Sequence, residues 1–347
     1  MHTKPWRSKR DQTGSPPRPP PNYHGPMSET WRERLAAGRV LLVDGGTGSE
    51  LRRRGFALDP CAWSAPAALT DFDLLRSIQS DYIAAGADVI STNTFAAARF
   101  VLEAAGLGDR TAEVVRRAVA AAREARDASG RDVAIAGSMS CLPPRFDPGG
   151  YPAGHRESAA YRELAEGLAA EGVDLIALEM LEDTEHAARA CAAARATGLP
   201  VWLGVSCRLS DDGALVAFDF PETRLGRVLD ALLPFGPDAV NVMHSPPGAV
   251  APAIRAIGAR SRGVLGAYPE LEGGITGFAT DRAMSGGDSA QPGARAARAT
   301  LSPTELAALA SYWIGAGARI VGGCCGATPS HVRALRAAID SLEKSTG

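Results

Sequence analysis

VDLIALEMLEDTEHAARACAAARATGLPVWLGVSC, residues 173–207, decides the fold. It opens with an almost unbroken apolar run, VDLIALE (173–179), that ends on a carboxylate. TEHAARACAAARATG (184–198) follows, amphipathic at helical spacing and closed by a glycine, as helix C-termini commonly are. A second apolar run, VWLGVSC (201–207), ends in Ser and Cys. Strands without polar alternation are buried on both faces. Joined by a helix, they pair in parallel under a helical cover.

The same unit recurs in both directions. Eight apolar runs are present: VLLV (40–43), ADVIS (87–91), DVAIAG (132–137), the two above, DAVNVM (238–243), GVLGAY (263–268) and RIVGGC (319–324). Amphipathic patterns fill 70–86, 109–126, 157–172, 184–198, 222–236, 249–259, 302–317 and 328–344. The last two start on Ser/Thr-Pro, with Glu305 or Ser330 in the first turn, a helix-start signal. Eight units of about 30–40 residues predict a (β/α)8 TIM barrel, a single domain over 28–347. An open doubly wound sheet is the competing architecture. It would want a dinucleotide turn, and DGGTGSEL (44–51) lacks the G-x-G-x-x-G spacing. Residues 270–300, rich in Gly and Ala, read as an irregular insertion near the mouth of the barrel.

Residues 1–27 carry seven prolines and five Lys/Arg against one Asp. So little apolar surface cannot offset the entropy of ordering, which predicts a disordered Pro-rich tail. Met27 directly precedes a helix start, SETWRERLAAG, with Ser28 as candidate cap, and is a candidate start of the functional chain. Over 347 residues the net charge is −2, which gives no reason to expect nucleic acid or an anionic membrane as partner. No apolar run reaches the ~18 residues that span a bilayer, and the N-terminus lacks a secretory h-region. Six cysteines in this length make no disulfide framework and predict a reduced, cytoplasmic protein.

In a (β/α)8 barrel the reactive groups sit at the C-terminal ends of the strands. Read in order, those ends are Asp44-Gly45-Gly46-Thr47, Ser91 to Phe95, Gly137-Ser138, Glu179, Ser206-Cys207, Asn241 to His244, Tyr268-Pro269 and Cys324-Cys325. Strand side chains alternate faces, so both cysteines can reach the mouth only if the strand breaks first. Gly322, Gly323 and Gly326 permit that bend. Two thiolates on one rim are natural Zn²⁺ ligands, and a thiol substrate in an open position beside them would lose its proton to the metal. The alternative is a pair of small buried hydrophobes. Cys61, Cys141 and Cys191 read as ordinary residues. Cys207 ends the fifth strand and reads either as core, the preferred assignment, or as a group reaching the mouth. His186 and His331 read as surface groups on helices. The Gly45-Gly46-Thr47 turn offers backbone N–H groups for a carboxylate, or glycines for a tight turn at positive φ. Asp44 and Glu179 suit an ammonium group, or serve as caps or partners of surface Arg. Asn93 and Thr94 could bond a ligand or the neighbouring loops.

DGGTGSEL (44–51), STNTF (91–95), AGS (136–138), the Glu of DLIALE (174–179), AYP (267–269) and ARIVGGCCGATPSHV (318–332) together resemble the homocysteine S-methyltransferase family. The resemblance runs from about residue 38 to 342. It implies a (β/α)8 barrel, zinc as cofactor, and methyl transfer to the thiol of homocysteine to give methionine. It carries Cys324 and Cys325 over as zinc ligands. It sets Gly45 and Gly46 against the substrate carboxylate, and Asp44 and Glu179 against its amino group. The family's third ligand is a cysteine at the end of the sixth strand. Here AVNVMHSPP (239–247) has Val242 or Met243 in that place. His244 is the metal-competent side chain nearby, which makes a Cys₂His set the expectation. Met180 and Glu270 replace the Thr and Asn usual in the family, both on the substrate side of the pocket.

Three functions compete on these residues. One is an S-methyltransferase using a free sulfonium or ammonium donor such as S-methylmethionine, S-adenosylmethionine or betaine. The second is a barrel enzyme acting on another thiol or using zinc to activate water. The third is a non-catalytic thiol or metal binder.

Overall fold

The computed structural model describes residues 30–271 and 300–346. The expected tail (1–27), and all but the ends of the expected insertion (270–300), lie outside the described residues. Ten strands are present among the described residues: β1 Leu41–Leu42, β2 Val89–Ser91, β3 Ala134–Ser140, β4 Leu175–Leu181, β5 Val201–Val205, β6 Cys207–Leu209, β7 Leu215–Ala217, β8 Ala239–Met243, β9 Val264–Tyr268 and β10 Ala318–Val321. Eight of them form one parallel sheet in the order β1-β10-β9-β8-β5-β4-β3-β2. The sheet closes on itself where Val43 bridges Val89 and the Asp44 N–H donates to the Val89 carbonyl at 3.0 Å. The fold is therefore the (β/α)8 barrel. All eight apolar runs became barrel strands, because only strands buried on both faces need that composition.

Helices return the chain between strands, among them Phe72–Ala84, Thr111–Ser129, Gly154–Ala170, His186–Ala196 and Pro247–Gly258. Pro303–Gly315 starts where the Ser-Pro signal with Glu305 puts it, and does so through a capping box, Ser302 and Glu305 bonding reciprocally. The first described helix, Trp31–Ala36, has its capping box on Thr30 and Glu33, so the cap is two residues beyond Ser28. The hairpin of β6 and β7 was not expected; it pairs antiparallel outside the barrel.

The barrel interior has two ends of different chemistry. Its lower layers are apolar, including Leu41, Val89, Ala134, Leu175, Ala239 and Ile320. Trp31 plugs that end and meets Trp202 edge-to-face at 6.2 Å. The outer core lies between helices and strands and holds Cys141, Cys191 and Cys207 in full burial. Cys61 is also buried. His331, expected at the surface, is 6% exposed. Its Nδ1 accepts from the Thr328 N–H at 3.1 Å, and its Nε2 faces the Leu301 carbonyl at 2.8 Å. It locks the start of the last helix, Pro329–Thr346, where burial and hydrogen bonding outweigh helical periodicity as a guide.

Candidate active site

β10 stops at Val321, before either cysteine. The chain then bends through Gly322 and Gly323. The Cys324 N–H donates to the Pro269 carbonyl at 2.8 Å, and the Cys325 carbonyl accepts from the Leu271 N–H at 2.8 Å. Gly326 completes the bend at φ +80°. A side chain at Gly323 would bring its Cβ within 2.5 Å of Ala327 Cβ, so the bend requires glycine there. Both thiols consequently face the mouth, with their sulfurs 3.9 Å apart. On the other side of β9, β8 ends at Met243 and the chain turns at His244, whose φ of +41° is one that L-residues seldom adopt. That turn aims Nδ1 at both sulfurs, 3.9 Å from Cys324 and 3.7 Å from Cys325. Phe218, just past the unexpected hairpin, packs on the imidazole at 5.1 Å.

These three side chains form a group that could hold a metal ion. Ligands at ~2.0–2.3 Å from one tetrahedral ion lie ~3.5–3.8 Å from each other, close to the spacing found. Hydrogen bonding to Cys325, then burial, pushes the Cys324 thiol well above its ordinary range. A cation held at that thiol removes the penalty.

Two carboxyl groups face the same cavity. Asp44, 2% exposed, accepts from the Ser91 N–H at 2.7 Å and from the Ser91 hydroxyl at 3.2 Å. Burial still raises it well above the carboxylate range. Glu179 accepts from the Ser138 hydroxyl at 2.7 Å, and burial pushes it up to about 7. No Lys or Arg lines the cavity among the described residues. A cationic group entering it would meet uncompensated acid.

Gly45 and Gly46 have ordinary negative-φ backbones and are there for close approach. A Cβ on Gly45 would lie 2.4 Å from the Ala327 carbonyl oxygen, and one on Gly46 would lie 2.8 Å from that of Cys324. The first turn thus packs directly on the cysteine loop. Thr47 lines the cavity with a buried hydroxyl that has no hydrogen-bond partner. Asn93 is used by a loop: its amide donates to the Ser64 carbonyl at 2.7 Å and accepts from the Ser64 hydroxyl at 2.6 Å. Thr94 donates to the Ser138 carbonyl at 2.7 Å.

Sequence reasoning missed Trp63 and Phe146 as cavity lining; Met180, expected on the substrate side of the pocket, and Met243, beside the third-ligand place, line it as well, whereas Glu270 does not. Trp63 and Phe146 come from two loops and meet edge-to-face at 6.1 Å. No periodicity marks such residues. The backbone does: among the described residues, the non-glycine residues at positive φ are Trp63, Arg145, Phe146, Met180 and His244. Four of them line this cavity and the fifth adjoins it. Strained backbone concentrates where function over-determines geometry.

The family described as homocysteine S-methyltransferase matches residues 41–339. Homocysteine S-methyltransferase 4 of Zea mays is 28% identical, over 88% of this chain and 91% of the relative. Selenocysteine methyltransferase of Astragalus bisulcatus is 25% identical, over 89% and 95%. Methionine synthase of Mycobacterium tuberculosis is 27% identical over 88% of this chain, which spans 25% of that longer protein. Among solved structures, the metallated form of the homocysteine methyltransferase MmuM of Escherichia coli superposes with a TM-score of 0.68 at 24% identity. That match covers 88% of this chain and 98% of MmuM.

Proposed function

Because the chain belongs to the homocysteine S-methyltransferase family, we propose that it moves a methyl group from a small sulfonium or ammonium donor to the thiol of homocysteine, giving methionine. The observation that carries this reading is the placement of His244 Nδ1 3.7 and 3.9 Å from two sulfurs that are themselves 3.9 Å apart. Cys324, Cys325 and His244 would hold zinc, three protein ligands with a fourth position open, as catalytic sites have. Zinc so held supplies a Lewis acid that keeps a thiol deprotonated at neutral pH.

The chain's own residues do the rest. Asp44 and Glu179 receive the ammonium group of the acceptor, which stabilises their charged forms against burial. The Thr47 hydroxyl and the backbone N–H groups from Gly45 to Thr47 receive its carboxylate. Asn93 holds the Ser64 loop, and with it Trp63, against the mouth. Trp63 and Phe146 narrow the mouth and exclude water. The sulfur of the acceptor then lies toward the cysteines, and the donor approaches from the open side.

The test is direct. Purified protein with its metal content measured is given homocysteine and, separately, S-methylmethionine, S-adenosylmethionine and betaine. Methionine should form with one or more donors, and chelation should abolish it. Bound metal without methionine from any donor would overturn the reading. The protein would be expected in the cytoplasm, where thiols stay reduced.

A further inference from the structure

Two methionines join the two anchoring regions of this cavity. Met180 directly follows Glu179 and Met243 directly precedes His244. All four line the cavity. In a regular strand adjacent residues face opposite ways. Here β4 breaks register against β5 between Leu178 and Leu181, and Met180 takes φ +54°. Both members of the pair Glu179-Met180 therefore reach the cavity. The turn at His244 does the same for Met243-His244. The Met180 N–H donates to Met243 Sδ at 3.1 Å, so the pairs are tied to each other. Both methionines are buried, at 5% and 2% exposure, in one apolar cluster with Leu142 and Tyr268. Below them, a Cβ on Gly204 would lie 2.8 Å from Met243 Cγ. Met243 thus rests on bare strand backbone and has little room to retreat.

We propose that Met180 and Met243 are specificity-determining residues that set the acceptor's chain length, forming the apolar wall along which its methylenes lie between Glu179 and the Cys324–Cys325–His244 group. The inference rests on the acceptor reading given above. An amino-acid thiol held by its ammonium at Glu179 and by its sulfur near His244 must lay its methylenes across this wall. The wall is bonded to itself and backed by strand, so it cannot lengthen to suit a longer chain. In an apolar pocket one methylene changes kcat/KM ~10–200-fold.

The experiment compares homocysteine with its homologue one methylene longer. It measures kcat/KM for both thiols and, independently of metal, Kd for the two corresponding S-methyl products. The proteins are wild type, M180A, M243A and the volume-conserving M180L. Wild type should prefer homocysteine. M180A and M243A should reduce that preference about tenfold in both readouts, by admitting the longer chain, and M180L should retain it. A uniform loss of activity with an unchanged preference in the alanine variants would overturn the proposal, because a merely structural role moves both substrates together. If M180A does not fold, M243A carries the same comparison. Wild-type protein that methylates neither thiol would overturn the acceptor reading and this proposal together. Wild-type activity with unaltered preference in the variants would overturn this proposal alone.

Discussion

His244 and Cys325, 81 positions apart in the chain, bring an imidazole nitrogen and a thiol sulfur to within 3.7 Å at the mouth of the barrel. Neither lies in a regular strand. Each is delivered by a backbone bend just beyond one, at φ +41° for His244 and at Gly326 after the cysteines. The relationship depends on the ends of β8 and β10, the two strands that flank β9, and several outcomes depend on it in turn.

C324S and C325S should each lose bound metal and methyl transfer while keeping the fold. A core of this size does not rest on one ion. Metal stoichiometry, with circular dichroism as the control for folding, checks this. Full metal content in either variant would remove the metal reading.

H244A should weaken metal binding by more than the ~10–100-fold that loss of an outer-shell partner costs. H244C should restore it, since a thiolate is an equally competent zinc ligand. Competition with a chromophoric chelator measures both. Equal affinity in H244A and wild type would show that the imidazole is not a ligand.

Glu179 should give the metal-free protein a pH-dependent stability. The folded state holds this proton up to about 7, whereas an unfolded glutamate releases it near ~4.3. Folding therefore takes up a proton between these values. The contribution is complete below ~4.3 and is lost as pH rises through about 7. The drop in Tm from pH 5 to pH 8 should be smaller in E179Q, which cannot ionise. Equal drops in the two proteins would argue against a protonated Glu179 in the folded state.

N93A should act mainly on stability. Its amide makes two buried hydrogen bonds to Ser64, at 2.6 and 2.7 Å, and deletion leaves buried partners unpaired at a cost of ~1–3 kcal/mol. Calorimetry of the free protein should show the loss. An unchanged Tm with a raised KM would instead make Asn93 a substrate contact.

G45A should be strongly disruptive despite its small size. Its Cβ would fall 2.4 Å from the Ala327 carbonyl oxygen and 2.7 Å from Tyr82 Cε1, both in a packed region. Overpacking of this kind costs ~1–3 kcal/mol. It would also displace the cysteine loop, so Tm and metal content should fall together.

The architecture was legible in the sequence because it is a matter of repeated local pattern. Eight doubly buried runs could only be strands of a covered parallel sheet, and all eight are. The same reading placed Asp44, Glu179, His244, Cys324 and Cys325 at strand ends, and in the structure they share one cavity. Tertiary structure alone decided how consecutive residues such as Glu179-Met180 and Met243-His244 both face inward. Strand alternation forbids it, and only bends held by neighbouring strands and loops impose it. It alone decided that Asn93 serves Ser64, that Gly45 and Gly46 serve close packing, and that His331 is buried. Trp63 and Phe146 entered the site through loops 83 residues apart, where no periodicity constrains a side chain's direction. Period and composition act within a segment, and these contacts arise between segments, after the barrel has closed.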